Sequence, residues 1–301
     1  MARWAMFLLL FLAAAPGVPL WGQTQQDPAQ KMAARLAREA EAFSRLAPDV
    51  IGKEALFQRA LKPPSRFHFR VGASAKSAPP VTWQERHIVS EYAFAEMGGA
   101  LHELRQAVSV DGRKIREERE AQEALANAIT MKNDAREKEL LQESEKYGLI
   151  GAATDFGQLI LLFTPHDIGR YEFLPEGPNQ LGADRALVFR YLQVDGPDRL
   201  TEFDERGKER VRHMKFHGEV WVRPNDFLPL RITLFAGDGE GADAPREAAT
   251  VDYQMSEYGA LLPSSTDVRE LRGGKLSAEN TFTYSDFHKF GASSEIEFHT
   301  K

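Results

Sequence analysis

The sequence predicts an α+β protein that is mainly β: a curled antiparallel sheet, in effect a half-open β-barrel, with N-terminal helices and an inserted helical hairpin. Three observations predict it. From about residue 148 onward, short apolar or alternating runs follow one another, separated by Pro, Gly and Asp, which is the spacing of an antiparallel meander. Two stretches, 27–61 and 115–147, instead carry apolar residues at helical spacing. A long, twisted sheet must curl, close or split, and no second run of strands offers itself as a partner layer. Curling around the helices is the expected outcome.

The chain has 301 residues and begins with Met1-Ala2-Arg3-Trp4, an apolar run AMFLLLFLAAA, then Pro16-Gly17-Val18-Pro19. A basic start, an apolar core of that length and small residues before a Gly22–Gln23 junction describe a secretory signal peptide over 1–22. The run is short for a membrane-spanning helix. The expected location is therefore periplasmic or extracellular, with the protein soluble after signal removal. There are no cysteines, which excludes disulfides, thiolate nucleophiles, Cys-ligated metal and a lipid-modified N-terminal Cys. The formal charge of −6 disfavours nucleic acid as a partner.

The N-terminal helical segment, 23–65, has apolar residues at Met32, Leu36, Ala40, Phe43 and Leu46, predicting a helix over 27–46. A second, shorter helix is expected over Gly52–Leu61, stopped by Pro63-Pro64. These helices either pack on the sheet or form a lid over a groove. Residues 66–301 form the β domain. Phe67 and Phe69 alternate with polar residues, and 72–80 reads as a loop. Val81–Phe94 and Leu101–Val110 read as strands joined through Met97-Gly98-Gly99, with a turn at Asp111-Gly112.

The insertion at 115–147 is charge-dense and free of Gly and Pro. Ala121, Leu125, Ala128 and Ile129 make one apolar stripe, Leu140 and Leu141 anchor a second segment, and the break falls near Asn133-Asp134. Its charged face is either solvated or a docking surface for an envelope protein partner. Further strands are expected at Phe156–Phe163, Arg170–Leu174, Ala186–Val194, Ala249–Tyr258, Ser264–Arg272, Lys275–Phe287 and Ser294–His299. Between them lies the hairpin His217–Arg223, Pro224-Asn225-Asp226, Phe227–Leu234, in which Pro presets φ and Asn and Asp favour the turn.

No motif completes a catalytic site. His213 and His217 are four apart, but on a strand that is about 13 Å, too far for one small metal ion. The Gly237–Ala244 run lacks EF-hand spacing and a following helix. Gly273-Gly274 reads as a hairpin turn, and no Gly-x-Ser-x-Gly elbow exists. The sequence therefore points to no catalytic residue, no metal and no cofactor. Alternation places Trp221, Leu230, Ile232, Leu234, Val251, Tyr253, Phe282 and Tyr284 as candidates to line an apolar concave face, in a direction that a one-residue shift would reverse.

Residues 185–300 carry a family resemblance. Gly218-Glu219-Val220-Trp221-Val222-Arg223-Pro224 with Leu228-Pro229-Leu230-Arg231, then Tyr258-Gly259-Ala260-Leu261-Leu262-Pro263, then Phe282-Thr283-Tyr284-Ser285-Asp286-Phe287, resemble strands of the LolA-like periplasmic lipoprotein carriers and the wider group of outer-membrane lipoprotein-sorting proteins. The resemblance implies a half-open barrel whose helices close an apolar face that holds acyl chains. It transfers no individual lipid-contacting residue, and the 115–147 insertion departs from the simple carrier pattern. The functional expectation is an exported soluble protein that binds a lipid, an acyl chain or a lipoprotein. An envelope interaction scaffold is the alternative, and a carboxylate-dependent secreted hydrolase a further one.

Overall fold

The computed structural model describes residues 27–62, 82–97, 99–131, 146–149, 155–196, 200–203, 209–212, 215–236 and 246–289. The signal segment, the 72–80 loop, the second half of the helical insertion, His213, the 237–244 run and the expected last strand fall outside these residues.

Helix α1 spans Pro28–Leu46; Asp27 caps it by accepting the Ala29 N–H at 3.0 Å, and Pro28 sits at its first position. Strands β1 (Val50–Leu61), β2 (Trp83–Met97), β3 (Ala100–Val110) and β4 (Arg113–Lys114) follow, then helix α2 (Glu118–Met131). Two 3-10 turns, Leu159–Phe163 and Ile168–Arg170, lead into β5 (Tyr171–Leu181) and β6 (Asp184–Gln193). After the small ribbon of β7 (Leu200–Phe203) and β8 (Glu209–Arg212) come β9 (Phe216–Val222), β10 (Pro229–Ala236), β11 (Arg246–Met255), β12 (Leu261–Arg272) and β13 (Lys275–Lys289).

Eleven strands form one sheet in the order β4-β3-β2-β1-β13-β12-β11-β10-β9-β6-β5, every pairing antiparallel. The order is open, with β4 and β5 at the edges. β1 pairs with β2 on one side and β13 on the other, so it joins the two halves of the chain. Ten inter-strand gaps amount to about 48 Å of sheet, whereas a 19-residue helix is about 28 Å long. Even so, one apolar cluster runs from Tyr92 and Phe94 on β2 through Met32, Leu36 and Phe43 of α1 to Phe189 and Tyr191 on β6. The sheet therefore wraps around the helix, as a twisted sheet of this width must.

The C-terminal strands and α1 lie where the sequence placed them, within a few residues. Two differences have clear causes. Residues 52–61 are strand, not helix. Their inward positions alternate Glu54, Leu56, Gln58, Ala60, so two buried polar side chains hide the two-residue apolar pattern, and pairing to β2 and β13 decides the conformation. Phe156–Phe163 is not a strand but a 3-10 turn plugged beneath α1, an ambiguity that a continuous apolar run cannot resolve by periodicity. α2 matches the first half of the insertion. Its stripe of Ala121, Leu125 and Ala128 is fully buried, and Leu125 and Ala128 pack against Ile51, Ala93, Ala95 and Leu104, on the face of the sheet opposite α1.

The central hairpin turns at Arg223–Phe227, where Arg223 forms a bidentate pair with Asp226 (2.8 and 2.6 Å) and Phe227 adopts φ 56°. Gly218 is required in β9, since a Cβ there would collide with the Thr233 carbonyl oxygen of β10.

Candidate functional site: the covered concave face

The concave face is the candidate site that the fold builds. Alternation brings Ile232, Leu234, Val251, Tyr253, Phe282 and Tyr284 into the one cluster that faces α1 and the 159–163 turn. Trp221 and Leu230 are elsewhere. Trp221 alternates with buried Gly218, Val220 and Val222, so it lies on the opposite face, where its indole N–H donates to Glu219 at 2.8 Å. A register irregularity between Pro229 and Arg231 takes Leu230 out of the alternation and leaves it half-buried. One bulge was enough to break a face assignment made by counting in twos.

Two elements cover this face. α1 contributes Met32, Leu36, Ala40 and Phe43, all fully buried, and the 3-10 turn contributes Leu159, Ile160 and Phe163. Phe43 meets Phe94 edge to face at 5.2 Å, while Phe163 contacts Tyr171 and Tyr191 at 4.9 and 5.0 Å. At the β5 margin the cover leaves a cleft of about 280 Å³, lined by Leu161, Leu162, Tyr171 and Phe216 with Asp167, Arg170 and Gln193 at its polar side. Asp167 and Arg170 pair at 2.8 Å, so the polar side carries no net charge from these two groups. The cleft's volume lies just below the usual range for small-molecule pockets, about 300–1,000 Å³.

At the opposite end, polar chemistry is buried in the apolar face. Arg105 of β3 donates from Nε to both Glu54 oxygens at 2.9 Å and from Nη2 to Glu103 at 2.5 Å. Its guanidinium lies between the rings of Tyr92 and Phe282, 5.3 and 5.4 Å from their centroids. Asp155 approaches at 3.5 Å and lies 3.6 Å from His102. Burial pushes the Glu54 carboxyl up, against the pull of Arg105. Burial also raises Glu103, which Arg105 opposes and Asp155 and Glu54 reinforce, to about 8. Burial works against the Arg105 charge, but the two carboxyls outweigh it and hold its pKa well above the ordinary value. One guanidinium is thus shared by two buried carboxyls, and burial favours the neutral form of each against its pull.

Sequence reasoning missed this cluster. Its one local signal is that β3, ALHELRQAVSV, has no apolar face around Glu103-Leu104-Arg105-Gln106, so any face that it turns to a core buries charge. Among the described residues no group of three or more His, Asp or Glu side chains is arranged to hold a metal. His217 is exposed and its ring stacks on Phe235 at 5.6 Å.

A scan against protein-family models returns no match, and neither does a comparison with curated proteins. Solved structures do match. A DUF1329 family protein from Desulfovibrio piger is 10% identical with a TM-score of 0.41, over 89% of this chain and 96% of that one. An outer membrane lipoprotein-sorting protein domain from Vibrio parahaemolyticus is 11% identical with a TM-score of 0.39, over 90% and 97%. A LolA superfamily protein from Nitrosomonas europaea is 10% identical with a TM-score of 0.31, over 86% and 94%. The likeness is one of fold alone. No helix among the described residues is long and apolar enough to cross a membrane.

Proposed function

We propose that the chain is an exported, soluble, non-enzymatic binding protein that takes an amphiphile, a lipid or the acyl chain of a lipoprotein, on its concave face. The observation that carries the reading is an open sheet whose apolar face is closed by a separate helix and turn, with a cleft at the margin of that cover. A cover made of one helix and one turn is a removable part in a way that a second sheet is not. Each methylene of an acyl chain that replaces it contributes about 0.8 kcal/mol of burial.

Two other readings fare less well. A docking role for the insertion would rest on its charged face, and an exposed charged helix face is ordinarily just solvated; the apolar stripe of α2 packs on its own sheet. A carboxylate-dependent hydrolase would want its raised-pKa acids in the cleft; Glu54 and Glu103 are buried away from it on Arg105. The cleft's one carboxylate among its lining residues, Asp167, is paired.

Mass spectrometry of organic extracts from gently purified mature protein tests the proposal. A stoichiometric amphiphile is expected, and Leu161→Glu at the cleft should lose it while the exposed Lys275→Glu keeps it, both with wild-type circular dichroism. A protein that stays empty after incubation with lipid vesicles and acylated peptides would sink the reading.

A further inference from the structure

Part of the concave face carries hydroxyls that nothing satisfies. Tyr92 of β2 and Tyr284 of β13 belong to the cluster beneath the cover, and Thr266 of β12 lies directly across from Phe282 of the same cluster. Each has 5% or less of its surface exposed, yet none of the three hydroxyls has a hydrogen-bond partner among the described residues. They stand together: the two tyrosine rings are 4.9 Å apart, and Thr266 neighbours the Tyr284 hydroxyl without reaching bonding geometry. The Tyr92 hydroxyl lies under Gly157, where a Cβ would come within 2.9 Å of it, so the cover meets it with a residue that has no side chain to offer. Asn280, on the same face of β13, adds a buried carbonyl oxygen that is also unpartnered. Two other buried tyrosines of this face are satisfied. Tyr191 donates to the Thr233 carbonyl at 2.7 Å, and Tyr253 donates to the Gly157 carbonyl at 3.1 Å and accepts from the Ile160 N–H at 2.9 Å.

A buried hydroxyl without a partner bears its full desolvation cost, and an acceptor brought within its reach offsets that cost. From Thr266 the floor continues through Val251, Ile232, Val220 and Phe189, each directly opposite the next and all apolar. Those four strand gaps make about 19 Å of apolar floor, enough for an acyl chain laid across the strands. We propose that Tyr92, Tyr284 and Thr266 form a cradle for the carbonyl oxygen of a neutral acyl ester or amide, whose chain then runs along this row toward β6. The inference rests on the reading that the concave face takes an acyl cargo, and names the group that orients it. A neutral head fits because Glu54, Glu103 and Asp155 already surround the Arg105 guanidinium, which lies against the Tyr92 ring. The carboxylate of a free fatty acid would join three carboxyls there.

Calorimetric titration of the mature protein tests the cradle with three probes below their micellar concentrations. They are monolauroylglycerol, lauryl glycerol ether, which lacks the carbonyl, and laurate. The ester should bind roughly tenfold more tightly than the ether, the worth of about one buried hydrogen bond, and laurate more weakly than the ester. In Tyr92→Phe/Tyr284→Phe the ester should fall to the affinity of the ether. The same double variant, empty, should keep the wild-type urea midpoint or exceed it, because no hydrogen bond is lost. Equal binding of ester and ether by the wild type would overturn the cradle and leave the acyl-carrier reading standing. Laurate bound as tightly as the ester would do the same. A lowered urea midpoint in the empty double variant would mean that the hydroxyls already have partners, an ordered water included, and likewise defeats the proposal. If the wild type binds none of the three probes, the carrier reading itself fails and the cradle goes with it.

Discussion

Arg105 is where the balance of buried charge is decided. It has only 6% of its surface exposed and satisfies two carboxyls that would otherwise sit alone in an apolar layer. Removing one partner of such a group is costly because the others stay behind, by about 3–5 kcal/mol. Arg105→Met keeps the volume and should lose stability of that order in urea unfolding. The loss has a pH sign. Glu103 is raised from 4.5 to about 8 in the folded protein, so its contribution is full below about 4.5 and disappears as pH rises through 8. Without Arg105 both carboxyls must hold protons to stay buried, so the deficit of the variant should grow from pH 5 to pH 9. An equal deficit at both ends would mean that the cluster is not charge-coupled. None of this was visible residue by residue. Glu54, Glu103 and Asp155 are far apart in the chain, and a Glu-x-Arg in a strand reads as a solvated face until the partner strands are known.

At the scale of elements, the two helices serve different layers. α1 packs into the concave cluster and α2 into the separate one on the other face. Leu36 and Leu125 are both fully buried, so each truncation to Ala should cost roughly 2–5 kcal/mol. Their local consequences should differ. Leu36→Ala should raise hydrogen exchange in the 159–163 turn that touches α1, whereas Leu125→Ala should leave that turn protected. Raised exchange there in both variants would mean that the cover is not an independent unit. The legibility of elements followed the same division. The β9–β10 hairpin and α1 were readable because their buried faces are uniformly apolar and their ends carry Pro, Asn or Asp. β1 was not, since its inward face includes Glu54 and Gln58, satisfied by Arg105 and by the Leu149 N–H. The 156–163 run failed for the opposite reason: its last five residues, Leu159–Phe163, are all apolar and offer no period to count.

The whole molecule is an open sheet wrapped on a helix, and on the proposed reading its function turns on whether that helix leaves. The fold class was legible because a long meander with no second layer must curl on something, and the helical stripe of α1 said on what. Whether the cover is a permanent core or a lid is a matter of free-energy difference, which no pattern of residues spells out. The absence of cysteine makes the question measurable, because two introduced cysteines can carry spin labels with no background. Ala34→Cys lies on the exposed side of α1 and Thr283→Cys on the exposed side of β13, so neither label disturbs the buried face. Pulsed electron-electron resonance on the empty protein should give one narrow distance. Addition of an acylated peptide should create a second population, longer by roughly 10 Å, the diameter of the helix that the chain displaces. A single unchanged distance in a sample whose bound acyl chain is verified by mass spectrometry would place the cargo in the marginal cleft beside Tyr171 and Phe216 instead. The concave face would then be core and α1 a fixed part of it.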